Sequence, residues 1–172
     1  RETGGVLIGH LHRDPEIPEI AIEVTAQIPA IHAEGTQSRL RFTPETWTAV
    51  ASAVELRRSG ELWLGWWHVH PVSAWCRDCS AERRRECALP RGFLSQHDRL
   101  LHRIVFPRAY SLALVVSVAE AGLHYSLFGW RRGLVEPRGF HLKGATNLVG
   151  ACDSADLPEQ GVRNACTHET AR

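Results

Sequence analysis

Methionine is absent from all 172 residues, and a single lysine, Lys143, stands among 20 basic side chains. The chain opens at Arg1 rather than Met, so a natural start, and any leader with it, is expected upstream. No run approaches the ~20 apolar residues that a membrane-crossing helix needs. The nearest candidate, Ser111–Val118, is broken by serines and an alanine, so no membrane partner is expected. A charge excess is lacking too: 20 basic against 19 acidic residues leave a formal +1, which gives no footprint for nucleic acid. With 44% hydrophobic and 23% charged residues the composition is that of a globular domain, and disorder and collagen are excluded.

Cysteine is scarce and odd in number. Of five, Cys76, Cys79 and Cys87 fall within twelve residues, while Cys152 and Cys166 lie far off near the end. Such a distribution does not suit a secreted disulfide framework and points to a reducing, cytoplasmic setting. A C-x-x-C followed by a third Cys reads as metal ligation, with surface thiols or one local disulfide as alternatives.

Periodicity predicts strand, strand, strand, helix, strand, insertion, helix, strand, strand. Gly4–His12 is an apolar run; Ile20–Ile28 alternates with period two between Pro18 and Pro29; Ser38–Phe42 is a short third strand expected to pair with the second. Thr43-Pro44-Glu45 has the form of an N-cap, first helical residue and first-turn acid, opening a helix to Arg57-Arg58 with Gly60 as its stop. Glu61–Val69 is the next strand, and residues 72–94 form a polar, Arg- and Cys-bearing insertion. Ser95 starts a helix whose expected apolar stripe is Leu100, Leu101, Ile104 and Val105. Tyr110–Ala119 and Leu123–Trp130 complete one α/β domain over 1–142, and 143–172, small and polar without periodicity, is expected to be a disordered tail.

Side chains two apart on a strand share a face, so His68 and His70 of His68-Val69-His70-Pro71 project together near the strand's C-terminal end. They form a ready pair of zinc ligands, although two ordinary histidines at a strand end would show the same pattern. Ser95-Gln96-His97-Asp98 places an N-cap hydroxyl and a carboxylate at one helix end. Alone it is a capping arrangement. Joined to the two histidines, Asp98 completes three protein ligands with an open fourth position, the composition of a hydrolytic zinc site.

Glu2 precedes the glycine-spaced apolar run Gly5-x-x-x-Gly9. The set Glu2, Gly5 and Gly9, His68-x-His70-Pro71 and Ser95-x-x-Asp98, in that order, resembles the JAB/MPN (JAMM) zinc metalloprotease family, in particular its bacterial deubiquitinase-like branch. The resemblance spans Glu2 to about Phe140 and implies an MPN/JAB-like sandwich, a mixed curved β-sheet flanked by helices of the cytidine deaminase-like type. It further implies Zn²⁺ on His68, His70 and Asp98, with Glu2 as proton carrier and Ser95 as oxyanion donor. The implied reaction is hydrolysis of the peptide or isopeptide bond after the C-terminal glycines of a ubiquitin-like protein, with E1- and E2-like conjugation enzymes as further partners. Where the family has about seven residues between the second His and the Ser, this chain has 24, Pro71–Leu94. Val69 replaces the usual Ser or Thr between the histidines, and only one residue precedes Glu2, so Glu2 is expected to be loosely held.

Cys76, Cys79 and Cys87 offer soft ligands for a second, structural zinc, with His97 or His102 as candidate fourth ligand. Arg83, Arg84 and Arg85 between them are either a solvated face or a substrate contact. A zinc ribbon would explain the cysteines and not H-x-H-P with S-x-x-D. A nucleobase deaminase needs Glu two residues after its His, where His70 follows His68 here. A non-catalytic JAB-fold or zinc-stapled scaffold module is the alternative from a different functional class.

Overall fold

The computed structural model describes residues 1–143 apart from Ile17, Gln37, Ser38, Glu86, Ala88 and Ala121. The expected tail from Gly144 onward, with Cys152 and Cys166, lies outside the described residues. Strands β1 (Gly4–Arg13), β2 (Ile20–Pro29), β5 (Leu62–His70), β6 (Leu112–Ala119), β7 (Gly122–Arg131) and β8 (Leu134–Arg138) form one six-stranded sheet in the order β2-β1-β5-β6-β7-β8. The sheet is mixed: β5 and β6 run parallel and every other neighbouring pair is antiparallel. The protein is therefore an α/β domain, and no helix among the described residues is long and apolar enough to cross a membrane.

Helix α1 (Pro44–Arg57) begins as its sequence demands, with Thr43 accepting the Thr46 N–H and proline in the first turn. It ends at Arg57, ahead of the Gly60 signal, because Arg58 itself takes the left-handed conformation (φ 48°). Val50 of α1 meets Val6 and Ile8 of β1, while Trp47 bridges to the larger core of Leu40, Phe42, Trp66, Leu94, Phe106, Ala113, Val115 and Phe128. Val6 stands opposite Trp66 in the β1–β5 register, so both clusters lie on one face of the sheet. Each fully buried Leu, Val or Phe there contributes about 1.5–3 kcal/mol relative to exposure.

Glycine matters at two points in the opening strand. A side chain at Gly5 would collide with the Ile28 carbonyl oxygen of β2, and one at Gly9 with that of Glu23. The registers of β1 against both neighbours slip around Ile8, so Gly5-x-x-x-Gly9 reflects close strand approach across a bulge.

Four expectations need correction. The third strand does not pair with β2: β4 (Leu40–Arg41) pairs with β3 (Glu34–Gly35) as a separate two-stranded hairpin. Strand β8 carries Pro137 and no alternation, yet it pairs along β7 because an edge strand tolerates proline and Arg132-Gly133, both at positive φ, form the tight turn. The insertion holds local structure, with α2 (Val72–Trp75), α3 (Ala81–Arg85) and a 3-10 turn at Leu89–Arg91. Finally, of the apolar stripe expected on α4 (Gln96–Val105) only Leu101 packs against the core. Leu100 and Ile104 are 55% and 68% exposed, and the residues turned inward are Asp98 and His102.

Candidate metal centre

Strand β5 ends at His70, so both histidines lie at the edge of the core, where the chain leaves the sheet. His68 and His70 are buried, and their Nε2 atoms converge at 2.9 Å. Asp98 brings Oδ2 to 3.6 Å from His68 Nε2. Nitrogen and oxygen ligands about 2.0–2.1 Å from a tetrahedral ion stand about 3.3 Å apart, and the two measured separations bracket that value. Burial lowers the pKa of both imidazoles against the opposing pull of Asp98, which keeps them in the neutral, ligating form. Among the described residues this is the one group of three metal-ligating atoms within 4.8 Å of one another. The donor set of two imidazoles and a carboxylate fits zinc.

The capping reading of Ser95-x-x-Asp98 holds, and its carboxylate also belongs to the group that could hold a metal ion. Ser95 Oγ accepts the Asp98 N–H at 3.2 Å, and Asp98 Oδ2 accepts the Ser95 N–H at 2.8 Å, a full capping box. The same carboxylate faces His68, so the cap fixes the ligand's orientation. A layer behind the histidines, which spacing alone did not reveal, orients them further. Trp66 stacks on His68 with ring centroids 4.7 Å apart, and its Nε1–H donates to His102 Nδ1 at 3.2 Å. His102 is wholly buried, stacked on Trp130, and burial lowers its pKa to about 4.

Glu2 is held firmly, contrary to expectation. It is 5% exposed, and its N–H donates to Thr36 O at 2.7 Å. Gly35 lies directly beneath it, where any side chain would strike the Glu2 carbonyl oxygen. The Val69 N–H donates to Thr3 O at 2.8 Å, which continues the β1–β5 pairing towards the acid. Burial first, and then the Asp98 charge, raise the Glu2 carboxyl to about 7. Glu2, His70, Ser95 and Asp98 line a cleft of about 400 Å³ together with Trp75, Leu89 and Phe93. The last three come from the insertion, and Trp75 and Phe93 place their rings 5.0 and 4.8 Å from that of His70. The sequence marked out the insertion by its length but did not single out these residues; the signal was there in Trp75 and Phe93 as large aromatics in an otherwise polar stretch.

The remaining candidates separate. Cys76 Sγ and Cys87 Sγ stand 3.8 Å apart, with Cys79 beside Cys76. Neither proposed fourth ligand joins them: His97 Nε2 faces Arg39 Nε at 3.3 Å, and His102 is committed to the core. Arg83 and Arg84 do not line the cleft, and Arg84 pairs with Glu120 at 3.3 Å. No protein-family model matches the chain, and no curated protein matches it.

Proposed function

We propose that this chain is a zinc-dependent peptidase or isopeptidase of the JAB/MPN (JAMM) type, with the MPN-like, cytidine deaminase-related arrangement of its α/β domain. Its substrate is the bond after the C-terminal glycines of a ubiquitin-like protein, as a precursor or as a conjugate made by E1- and E2-like enzymes in the cytoplasm. One observation carries this reading: two buried imidazoles and a carboxylate converge on a cleft that also holds a buried acid titrating near neutrality.

His68, His70 and Asp98 are the residues that would hold the ion. When bound it supplies Lewis acidity, polarising a carbonyl oxygen and bringing the pKa of water from ~16 towards 7. Glu2 takes the proton from the attacking water and hands it to the leaving amine as the C–N bond breaks. A carboxyl group whose pKa lies near 7 serves both halves of that exchange. Ser95 Oγ already accepts from the Asp98 N–H, so its own O–H is free to donate to the oxygen on which negative charge develops. Such a donor is worth on the order of 2–4 kcal/mol. Trp75 and Phe93 wall the cleft, and a glycine tail enters between them as extended chain without side-chain obstruction.

The test is hydrolysis of a ubiquitin-like precursor or conjugate by the zinc-loaded chain and by Glu2→Ala, with metal content measured alongside. Cleavage after the glycines, with activity lost and zinc retained in Glu2→Ala, supports the proposal. Equal activity in both sinks the mechanism, and a zinc-loaded wild type without turnover on any such substrate assigns the fold to a scaffold role.

A further inference from the structure

Cys76, Cys79 and Cys87 of the insertion take no part in the chemistry above, and all three are free thiols. Cys76 caps α2, its N–H donating to Val72 O at 2.9 Å, and the Cys79 N–H donates to Cys76 O at 3.1 Å. That turn folds the C-x-x-C segment back on itself. Cys87 arrives from the end of α3, its N–H donating to Arg84 O at 3.4 Å, and brings its sulfur to 3.8 Å from that of Cys76. A disulfide would hold two sulfurs about 2.05 Å apart. Two thiolates each about 2.3 Å from a tetrahedral zinc stand about 3.8 Å apart, which is the separation found.

We propose that Cys76, Cys79 and Cys87 form a second, structural metal site for zinc or a similarly thiophilic divalent ion, with a donor from outside the trio in the fourth position. The three sulfurs do not all lie within 4.8 Å of one another, so Cys79 closes the site by side-chain rotation. Each thiol releases its proton to solvent as its sulfur binds. In the absence of metal, burial and the adjacent Cys87 push the Cys76 thiol up to about 11.

The placement gives the metal a purpose. Cys76 directly follows Trp75, and Cys87 shortly precedes Leu89 and Phe93, so one ion ties together both parts of the insertion that wall the cleft. It would fix the gap between Trp75 and Phe93. This site stands independently of the hydrolytic reading, since it rests on thiols that the reading does not use.

Cobalt titration of the full-length, reduced, metal-free chain tests it, because thiolate ligands produce an intense sulfur-to-cobalt charge-transfer band that imidazole and carboxylate do not. The expected result is the band in wild type and undiminished in His68→Ala, which retains only the cysteine site. Cys76→Ser loses the band and one of two metal equivalents while keeping the other. Should Cys76→Ser fail to fold, as judged by circular dichroism, the His68→Ala spectrum decides alone. No band in His68→Ala, with its cysteines fully titratable by a thiol reagent after cobalt addition, overturns the proposal. So does a Cys76–Cys87 disulfide found by mass spectrometry of the unreduced protein after purification with zinc present throughout.

Discussion

At the residue scale the acid is held more by its surroundings than by its own side chain. Glu2 keeps its place through one backbone hydrogen bond to Thr36 and the bare backbone of Gly35 below it. Gly35 is needed because a side chain there would displace the Glu2 backbone. Gly35→Ala is therefore expected to shift Glu2 by a fraction of an ångström to an ångström, with His68, His70 and Asp98 untouched. A misplacement of that size costs on the order of 10²-fold in turnover. Turnover and zinc content measured on the same preparation check this, and a loss of metal in parallel with activity would show a broader disruption instead.

At the scale of the element, α4 does two jobs with one turn. Its capping box stabilises the helix start and at the same time aims Asp98 at His68 and leaves the Ser95 hydroxyl hydrogen for the cleft. The two roles can be separated. Ser95→Ala removes cap and donor, at a stability cost of about 1 kcal/mol, whereas Ser95→Gly costs only a few tenths because glycine is a tolerable N-cap. Both variants are expected to lose about 10²–10³-fold in kcat. Thermal melts paired with kinetics decide it: if the activity loss tracks the stability loss, Ser95 acts as a cap alone. The same helix shows where periodicity misleads. Leu100 and Ile104 suggested the buried side, yet the capping geometry and the Trp66 indole turn Asp98 and His102 inward and leave both aliphatic residues in solvent.

Across the whole molecule, the buried imidazoles couple stability to pH. His102 has its pKa lowered to about 4 by burial, against about 6.5 in an unfolded chain. The unfolded state thus binds a proton that the folded state refuses, so the stabilisation is complete above pH 6.5 and is lost as pH falls towards 4. The loss from this residue is on the order of 3 kcal/mol. His68 and His70, lowered in the same direction, add to it in the metal-free protein. Denaturant melts of metal-free protein from pH 7.5 to 4 are expected to show this decline. In His102→Phe the decline flattens, while stability at pH 7 drops by about 1–3 kcal/mol because the Trp66 N–H loses its acceptor. An unchanged pH slope in that variant would remove His102 as a source of the effect.

Much of this protein is local, and the local part is legible in the chain. Apolar runs placed β1, β5, β6 and β7, and alternation placed β2; Thr43-Pro44 and Ser95-x-x-Asp98 placed the helix starts; strand periodicity put His68 and His70 on one face. These features depend on residues a few positions apart, where backbone geometry alone dictates direction. What crosses the chain was decided only by packing. Strand β8 needed an edge to accept its proline, and β4 needed β3 rather than β2. His102 became the support of Trp66 and His68 because α4 happens to cross β5 at that point. Glu2, Asp98 and the histidines lie up to 96 positions apart in sequence, and no spacing rule sets their distances. Six strands in one sheet do so, by bringing the start of β1, the end of β5 and the first turn of α4 to the same edge of the core.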